Sequence, residues 1–367
     1  MTSPPHTPLT YRPELNGLRA WAVGVVVLQH WLEPPFPFGE MGRALFFVLS
    51  GYLVSGIIWK YGAYVGAPGP WGQQLRTFFT RRVLRIIPPY YLALAACYLL
   101  PLDTVRQHLG WFLLPGANLL FYHLKGWGDG VGHYWTQAVD EQFYLLWPLL
   151  LGLLGRRTWP LLLLAASAPV FRAFWTARFG PGMVHLLLPS SLDLFAAGTL
   201  LRLCQHQSWL ARWRRGWLVL LVWGGWALGV LMLDAGPWAQ VWRVGFGSFV
   251  ALAAFLTINW LLGAPTVARR LGLLHPLAQW LGRRSYGFYL YHLPLFVFWQ
   301  RLVYHFVPDA AGRATWMSPG PTLLVLGPVL CVIAAASWRF VEAPLDRLKD
   351  RFRYAAAPLE PVRLASK

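Results

Sequence analysis

Charge is scarce in this chain. Only 13% of its 367 residues are Asp, Glu, Lys or Arg, and 56% are apolar. Soluble domains carry about 25% charged residues, so the composition excludes an ordinary water-soluble domain and indicates a membrane protein. Cysteine is nearly absent. Cys97, Cys204 and Cys331 each fall in an apolar run, with no metal or redox spacing between them. They read as small buried hydrophobes, and neither a disulfide framework nor a metal site is expected. No internal repeat is visible, so the inverted-repeat signature of many transporters is missing. The N-terminus has no basic region followed by a small-residue cleavage site, and the first apolar run is expected to be a retained helix.

What the chain has in quantity is long apolar stretches. A spanning helix needs about 20 mostly apolar residues, and ten runs qualify: 17–34, 42–60, 83–101, 139–155, 158–176, 184–203, 215–233, 242–262, 284–304 and 321–341. A further run at 108–123 is short and holds His108, Pro115 and Asn118, so it reads as a re-entrant or interfacial piece. With the N-terminus inside, 24 of the 32 Lys and Arg fall on the cytoplasmic side. The eight outside include Arg43, Arg172 and Arg243. Such a bias follows the positive-inside rule. The expected fold class is all-α: a polytopic membrane helix bundle of about ten transmembrane helices, both termini cytoplasmic, multi-pass in the inner (cytoplasmic) membrane. The net charge of +18 then becomes a topology signal, and no nucleic-acid partner is expected. Residues 1–344 are assigned to the transmembrane domain and 345–367 to a basic cytoplasmic tail, with no soluble domain at either end.

Several polar groups stand where lipid would forbid them. Arg19 and His30 are eleven residues apart in the first run, which puts them on one helix face, about 16 Å apart along the axis. An ionisable side chain at such depth marks a functional site; the plainer alternative is a histidine bonded to a neighbouring helix. Ser50 beside Gly51 suits either a cavity or a close helix contact. Arg81, Arg82 and Arg85, at the expected start of the third helix, suit membrane anchoring or a phosphate clamp. Asp140 and Glu141 suit a helix N-terminus; being adjacent, only one of them easily faces a cavity shared with His30. Asp193, beside Ser190 and Ser191, is expected mid-span and facing a polar cavity. Ser285, Tyr289 and His292 share one face of the ninth helix, and Glu342 precedes Pro344, a residue expected to stop the tenth.

Taken in order, these segments resemble the acyltransferase-3 family of bacterial integral membrane acyltransferases. The resemblance rests on Arg12-Pro-Glu-Leu-Asn-Gly-Leu-Arg19 with His30, Phe46-Phe47-Val48-Leu49-Ser50-Gly51, Arg82-x-x-Arg85 with Pro88 and Tyr90, and Glu141-Gln142-Phe143-Tyr144 with Trp147-Pro148. Ser285-Tyr286 with Tyr289 and His292-Leu-Pro294, then Phe340-Val341-Glu342-x-Pro344, complete it. The chain departs from the family pattern at Asn16, Ala44 and Asp140, positions where Asp, Asp and Glu are usual. The loss at Ala44 argues against a role for a helix-2 carboxylate.

The resemblance implies an acyl-CoA donor, the Arg19–His30 pair as catalytic hallmark and functional roles for Arg82 and Arg85. The site read from sequence is therefore His30 and Glu141 as catalytic groups, Arg19, Arg82 and Arg85 for acyl-CoA, and Ser50, Asp193, Tyr289 and His292 around a cavity. Acyl-CoA acts as co-substrate, with no bound cofactor. The leading expectation is a membrane O-acyltransferase moving a small acyl group, most simply acetyl, to a hydroxyl of a glycan or glycoside. A transporter or flippase of a polar or lipid-linked substrate is the competing reading. Partners are the lipid bilayer, acyl-CoA and the acceptor; a homo-oligomer is left open.

Overall fold

The structure, a computed structural model, describes residues 11–62, 64, 70–100, 102–180, 182–232 and 239–354, and among these every regular element is helical. The long helices are α1 (Pro13–Leu32), α2 (Phe38–Lys60), α3 (Trp71–Leu99), α4 (Tyr134–Leu154), α5 (Thr158–Phe179), α6 (Leu192–Cys204), α7 (Gly216–Met232), α8 (Ala239–Gly263), α9 (Ser285–Phe306) and α10 (Pro319–Ser337). Each expected apolar run has its helix, with shifted bounds. Four stretches are long and apolar enough to cross a membrane: α2, α5, α8 and the continuous Pro319–Arg351. Length and composition thus support four spans where about ten were expected. The other helices carry interrupting polar residues or, like α6 and α7, are short. Residues 355–367, most of the expected basic tail, lie outside the described residues.

Local sequence accounts for the boundaries. Pro13 opens α1 in its first turn, where a missing N–H costs nothing. Glu33 closes it in a left-handed conformation with its N–H on the Gln29 carbonyl, and Pro34-Pro35 cannot continue the helix. The segment expected to run helical from 184 is instead two 3₁₀ turns, Val184–Leu186 and Leu188–Ser191, with α6 beginning only at Leu192. Helix α3 starts at Trp71, so Arg82 and Arg85 belong to its interior and not to its start. Pro344 does not end the chain's last helix. A π turn, Trp338–Glu342, leads into Ala343–Leu348, whose first turn accommodates the proline. The 108–123 run is broken into Leu109–Leu113 and Ala117–Leu124. Gln142 of α4 holds that break by donating to Pro115 O (2.7 Å) and Asn118 Oδ1 (2.9 Å).

The centre of the bundle is α2, which packs on α1, α4, α6 and α8. Its contact with α6 is made by two glycines in reciprocal arrangement. A Cβ on Gly198 would stand 1.9 Å from Val48 O, and one on Gly51 would stand 2.1 Å from Phe195 O. Small residues let helices approach until dispersion and hydroxyl bonds hold them. Ser55 donates to Thr199 Oγ1 at 2.8 Å, and Trp147 Nε1 donates to the same oxygen at 3.0 Å. The packing role weighed for Ser50-Gly51 therefore belongs to the glycine. Replacing Gly198 with leucine forces the helices apart and should destabilise the fold by about 1–3 kcal/mol or more, measured as a lower unfolding midpoint in detergent. Gly24→Leu, at a position where a Cβ meets nothing within 4 Å, should leave that midpoint nearly unchanged.

Candidate active site

A cavity of about 280 Å³ opens between α1, α2, α3, α4, the turn preceding α4, and α9. One end is cationic. Arg19 of α1 and Arg82 and Arg85 of α3 line it, together with Ser50, Asp140 and Tyr144. Arg82 stacks over the Tyr144 ring at 4.8 Å, and the Tyr144 hydroxyl is 3.1 Å from Ser50 Oγ. Three guanidinium groups against one carboxylate leave a positive excess in an apolar surround, an arrangement suited to an anion bearing several oxygens. Arg81 is not part of it. Its guanidinium donates to Lys349 O and Phe352 O, each at 2.9 Å, and it faces Asp350. The cationic cluster on the cavity wall is therefore Arg82 and Arg85 of α3 plus Arg19, not Arg81, Arg82 and Arg85.

The middle of the cavity is an imidazole layer. His30 lines it, with Nδ1 2.9 Å from Nε2 of His292, the rings stacked at 5.0 Å. His292 Nδ1 is 2.7 Å from the Tyr289 carbonyl. A carbonyl accepts and never donates, so Nδ1 of His292 carries the hydrogen. In the neutral ring Nε2 is then the acceptor, and His30 donates to it from Nδ1. The lone pair left on His30 is that of Nε2. Trp31 Nε1 donates to His292 O at 2.9 Å, which further ties α1 to α9. His292, fully buried, stands behind His30 and not on the cavity wall where it was expected. Tyr289 does line the cavity; its hydroxyl contacts Thr136 Oγ1 and donates to His133 O.

Two expected site residues fall elsewhere. Glu141 is not on the cavity wall; its Oε1 accepts from Gln137 Nε2 at 2.9 Å. The wall-facing carboxylate is Asp140, and its Oδ1 is buried without a partner. Consecutive helical side chains diverge by about 100°, and the face that turns inward carries His133, Gln137, Asp140 and Tyr144. Asp193 is likewise remote. It is buried against Arg172 at 2.8 Å, and Ser248 donates to the same oxygen at 2.7 Å. The 3₁₀ turns ahead of α6 place it in the first turn of that helix, not mid-span. Arg172 of this pair lines a second cavity of about 250 Å³, and Glu40 and Arg43 line both cavities. The Glu40–Arg43 pair (Arg43 Nε to Glu40 Oε2, 3.0 Å) was missed from sequence, although an acid and a base three residues apart beside an apolar run form one helix-face pair. His133 was also passed over.

Residues 12–338 match the model of the acyltransferase-3 family, described as an acyltransferase domain. The chain belongs to this family. It is an acyltransferase, and the transporter reading is set aside. Among curated proteins, it is 25% identical over 370 residues to "Peptidoglycan O-acetyltransferase OatA" of Listeria monocytogenes, covering 92% of this chain and 56% of the relative. It is 26% identical over 373 residues to "Putative peptidoglycan O-acetyltransferase YrhL" of Bacillus subtilis, covering 91% and 55% respectively. The chain thus spans about half the length of these relatives. No solved structure matches it.

The two neighbouring carboxylates are distinguishable by kinetics. Asp140→Asn removes the anion among the three arginines and should lower kcat/KM about tenfold or more, whereas Glu141→Gln, off the wall, should change it by less than about threefold. Steady-state rates of both variants decide between them.

Proposed function

We propose that this chain is a membrane O-acyltransferase that moves an acetyl group from acyl-CoA to a hydroxyl of a cell-surface glycan. One observation carries the reading: a single cavity joins three arginines to a histidine whose Nδ1 is occupied and whose Nε2 is free. Acyl-CoA is anionic at its nucleotide end and reaches its thioester through a long, slim arm. The arginines at one end, with His30 about 16 Å further along α1, suit that shape. The names of the relatives, which specify O-acetylation of peptidoglycan, agree with a glycan acceptor.

The chemistry follows from the hydrogen bonds. His30 Nε2 accepts the proton of the acceptor hydroxyl as its oxygen forms a bond to the thioester carbonyl carbon. His292 holds the imidazole through Nδ1 and bears part of the developing positive charge. Collapse of the tetrahedral adduct breaks the C–S bond, and the proton on Nε2 passes to the departing thiolate. Ester and free thiol are the products. An acyl-histidine route would form the same products through a covalent bond at Nε2.

The topology proposed with this mechanism is about ten spans in the cytoplasmic membrane with both termini on the cytoplasmic side, as the Lys and Arg distribution supports. The cationic end of the cavity then faces the compartment that holds acyl-CoA. The Glu40–Arg43 end faces outward, where the glycan is.

His30→Ala should abolish transfer while leaving detergent-stable folding intact; wild-type turnover by that variant would refute the mechanism. Arg82→Ala and Arg85→Ala each remove charge-assisted bonds of about 1.5–3 kcal/mol. Each should raise the donor dissociation constant about tenfold or more while the acceptor constant stays fixed. In proteoliposomes with acyl-CoA on the side of the termini and acceptor on the other, transfer should proceed. Transfer only when both substrates share one side would reject the two-faced arrangement.

A further inference from the structure

A third imidazole faces the same layer, and the proposed mechanism does not use it. His133, 3% exposed, immediately precedes α4 and lines the cavity. Its Nε2 is 3.3 Å from the Leu290 carbonyl. That oxygen can only accept, so Nε2 carries the hydrogen, and in the neutral ring Nδ1 is a bare acceptor. A ring flip would put Cε1 against that carbonyl in place of Nε2 and lose the bond, so the contact itself fixes the ring orientation. Burial and the neighbouring His292 and His30 lower the pKa of His133 well below the ordinary histidine range, so the neutral form prevails. Nδ1 has no hydrogen-bond partner. A buried acceptor left in that state is destabilising unless a ligand supplies the donor.

The ring is also held firmly. Its centroid is 4.7 Å from that of His292, 4.2 Å from Tyr134 and 5.2 Å from Tyr289. Its backbone carbonyl accepts from both Thr136 and Tyr289 hydroxyls. A preorganised, unsatisfied acceptor in a reaction chamber is a ready partner for a donor group on a substrate. Its position identifies which substrate. Asp140, on the same helix face two turns along, marks the cationic end, and His133 is about 10 Å from it along the axis, in the layer where His292 contacts both other imidazoles. A thioester arriving from the arginines presents its carbonyl at this layer, and beyond it come the attacking hydroxyl and that hydroxyl's neighbours on the acceptor.

We infer that His133 Nδ1 accepts a hydrogen bond from a second hydroxyl of the acceptor, next to the one that is acylated. The subsite selects polyols and saccharides over simple alcohols and sets which hydroxyl of a sugar reaches His30. This rests on the glycan reading above. His133 is a positioning residue here and takes no proton in the reaction.

The test couples a substrate deletion to a protein deletion. Purified full chain is assayed with acetyl-CoA and a methyl N-acetylglucosaminide, then with its 3-, 4- and 6-deoxy analogues, in wild type, His133→Phe and His133→Asn. Phenylalanine leaves Leu290 O satisfied, because Tyr134 OH also donates to it at 3.1 Å. One deoxy analogue that retains the acylated hydroxyl should lose about tenfold or more in kcat/KM with wild type. The same analogue should lose less than about twofold with His133→Phe, and His133→Asn, which keeps an acceptor, should restore part of the discrimination. Donor-side constants and acetyl-CoA hydrolysis should not move. Equal deoxy penalties in all three proteins, or an effect confined to the donor constant, would overturn the subsite while leaving the acyltransfer reading intact. Failure of wild type to acylate any of the glycosides would overturn the glycan reading and the subsite with it.

Discussion

The hydrogen bond between two imidazoles, His30 Nδ1 to His292 Nε2 at 2.9 Å, is the constraint around which the site is arranged. It joins α1 to α9 and satisfies a ring nitrogen of His292, which is fully buried. The chain of donors, from His30 to His292 to the Tyr289 carbonyl, has one direction only, because it ends on an oxygen that cannot donate. That direction leaves the free lone pair at His30 Nε2. A single imidazole without such a neighbour would have both tautomers open to it, and part of its population would present N–H at Nε2.

The rest of the cavity follows from the same rule of polar satisfaction applied with exceptions. Most buried polar groups are saturated: Arg172 with Asp193, Ser190 and Val244, and Asn118 with Leu186. The buried acceptors without partners on the cavity-facing side of α4, at His133 and Asp140, stand apart from that background. Among the described residues, four other buried polar atoms also lack partners, on Trp226, Arg284, Trp299 and Thr322, but only His133 and Asp140 line the cavity, where a ligand can supply the missing partner. Close helix packing makes this possible. Gly51 and Gly198 bring α2 and α6 together on one side of α2, so that the cavity forms on the other, against α1 and α4.

The helices themselves were legible because long apolar runs leave little choice of structure, and the Arg19–His30 spacing was legible because helical periodicity alone brings the two to one face. Errors arose where a run was apolar but its backbone was not regular. The 3₁₀ turns at 184–191 moved Asp193 out of a mid-span position, and the π turn at Trp338–Glu342 carried the chain past Pro344. Composition cannot report such breaks, since they are stabilised by contacts from other helices. The choice between Asp140 and Glu141 was of the same kind. Periodicity says that only one faces inward, and the rotation of α4 about its own axis decides which.

By itself, then, the sequence determined an all-helical chain with polar groups embedded in apolar runs, and the order of segments that marks the acyltransferase-3 family. It also holds Arg19, Arg82 and Arg85, whose residue types alone suit an anion. The tertiary structure decided which groups meet. Only the packing of α1 on α9 makes His292 the partner of His30, and only the turn before α4 turns His133 into the same layer. Those decisions depend on distances across 262 and 157 positions of chain, and no local pattern encodes contacts at such separation.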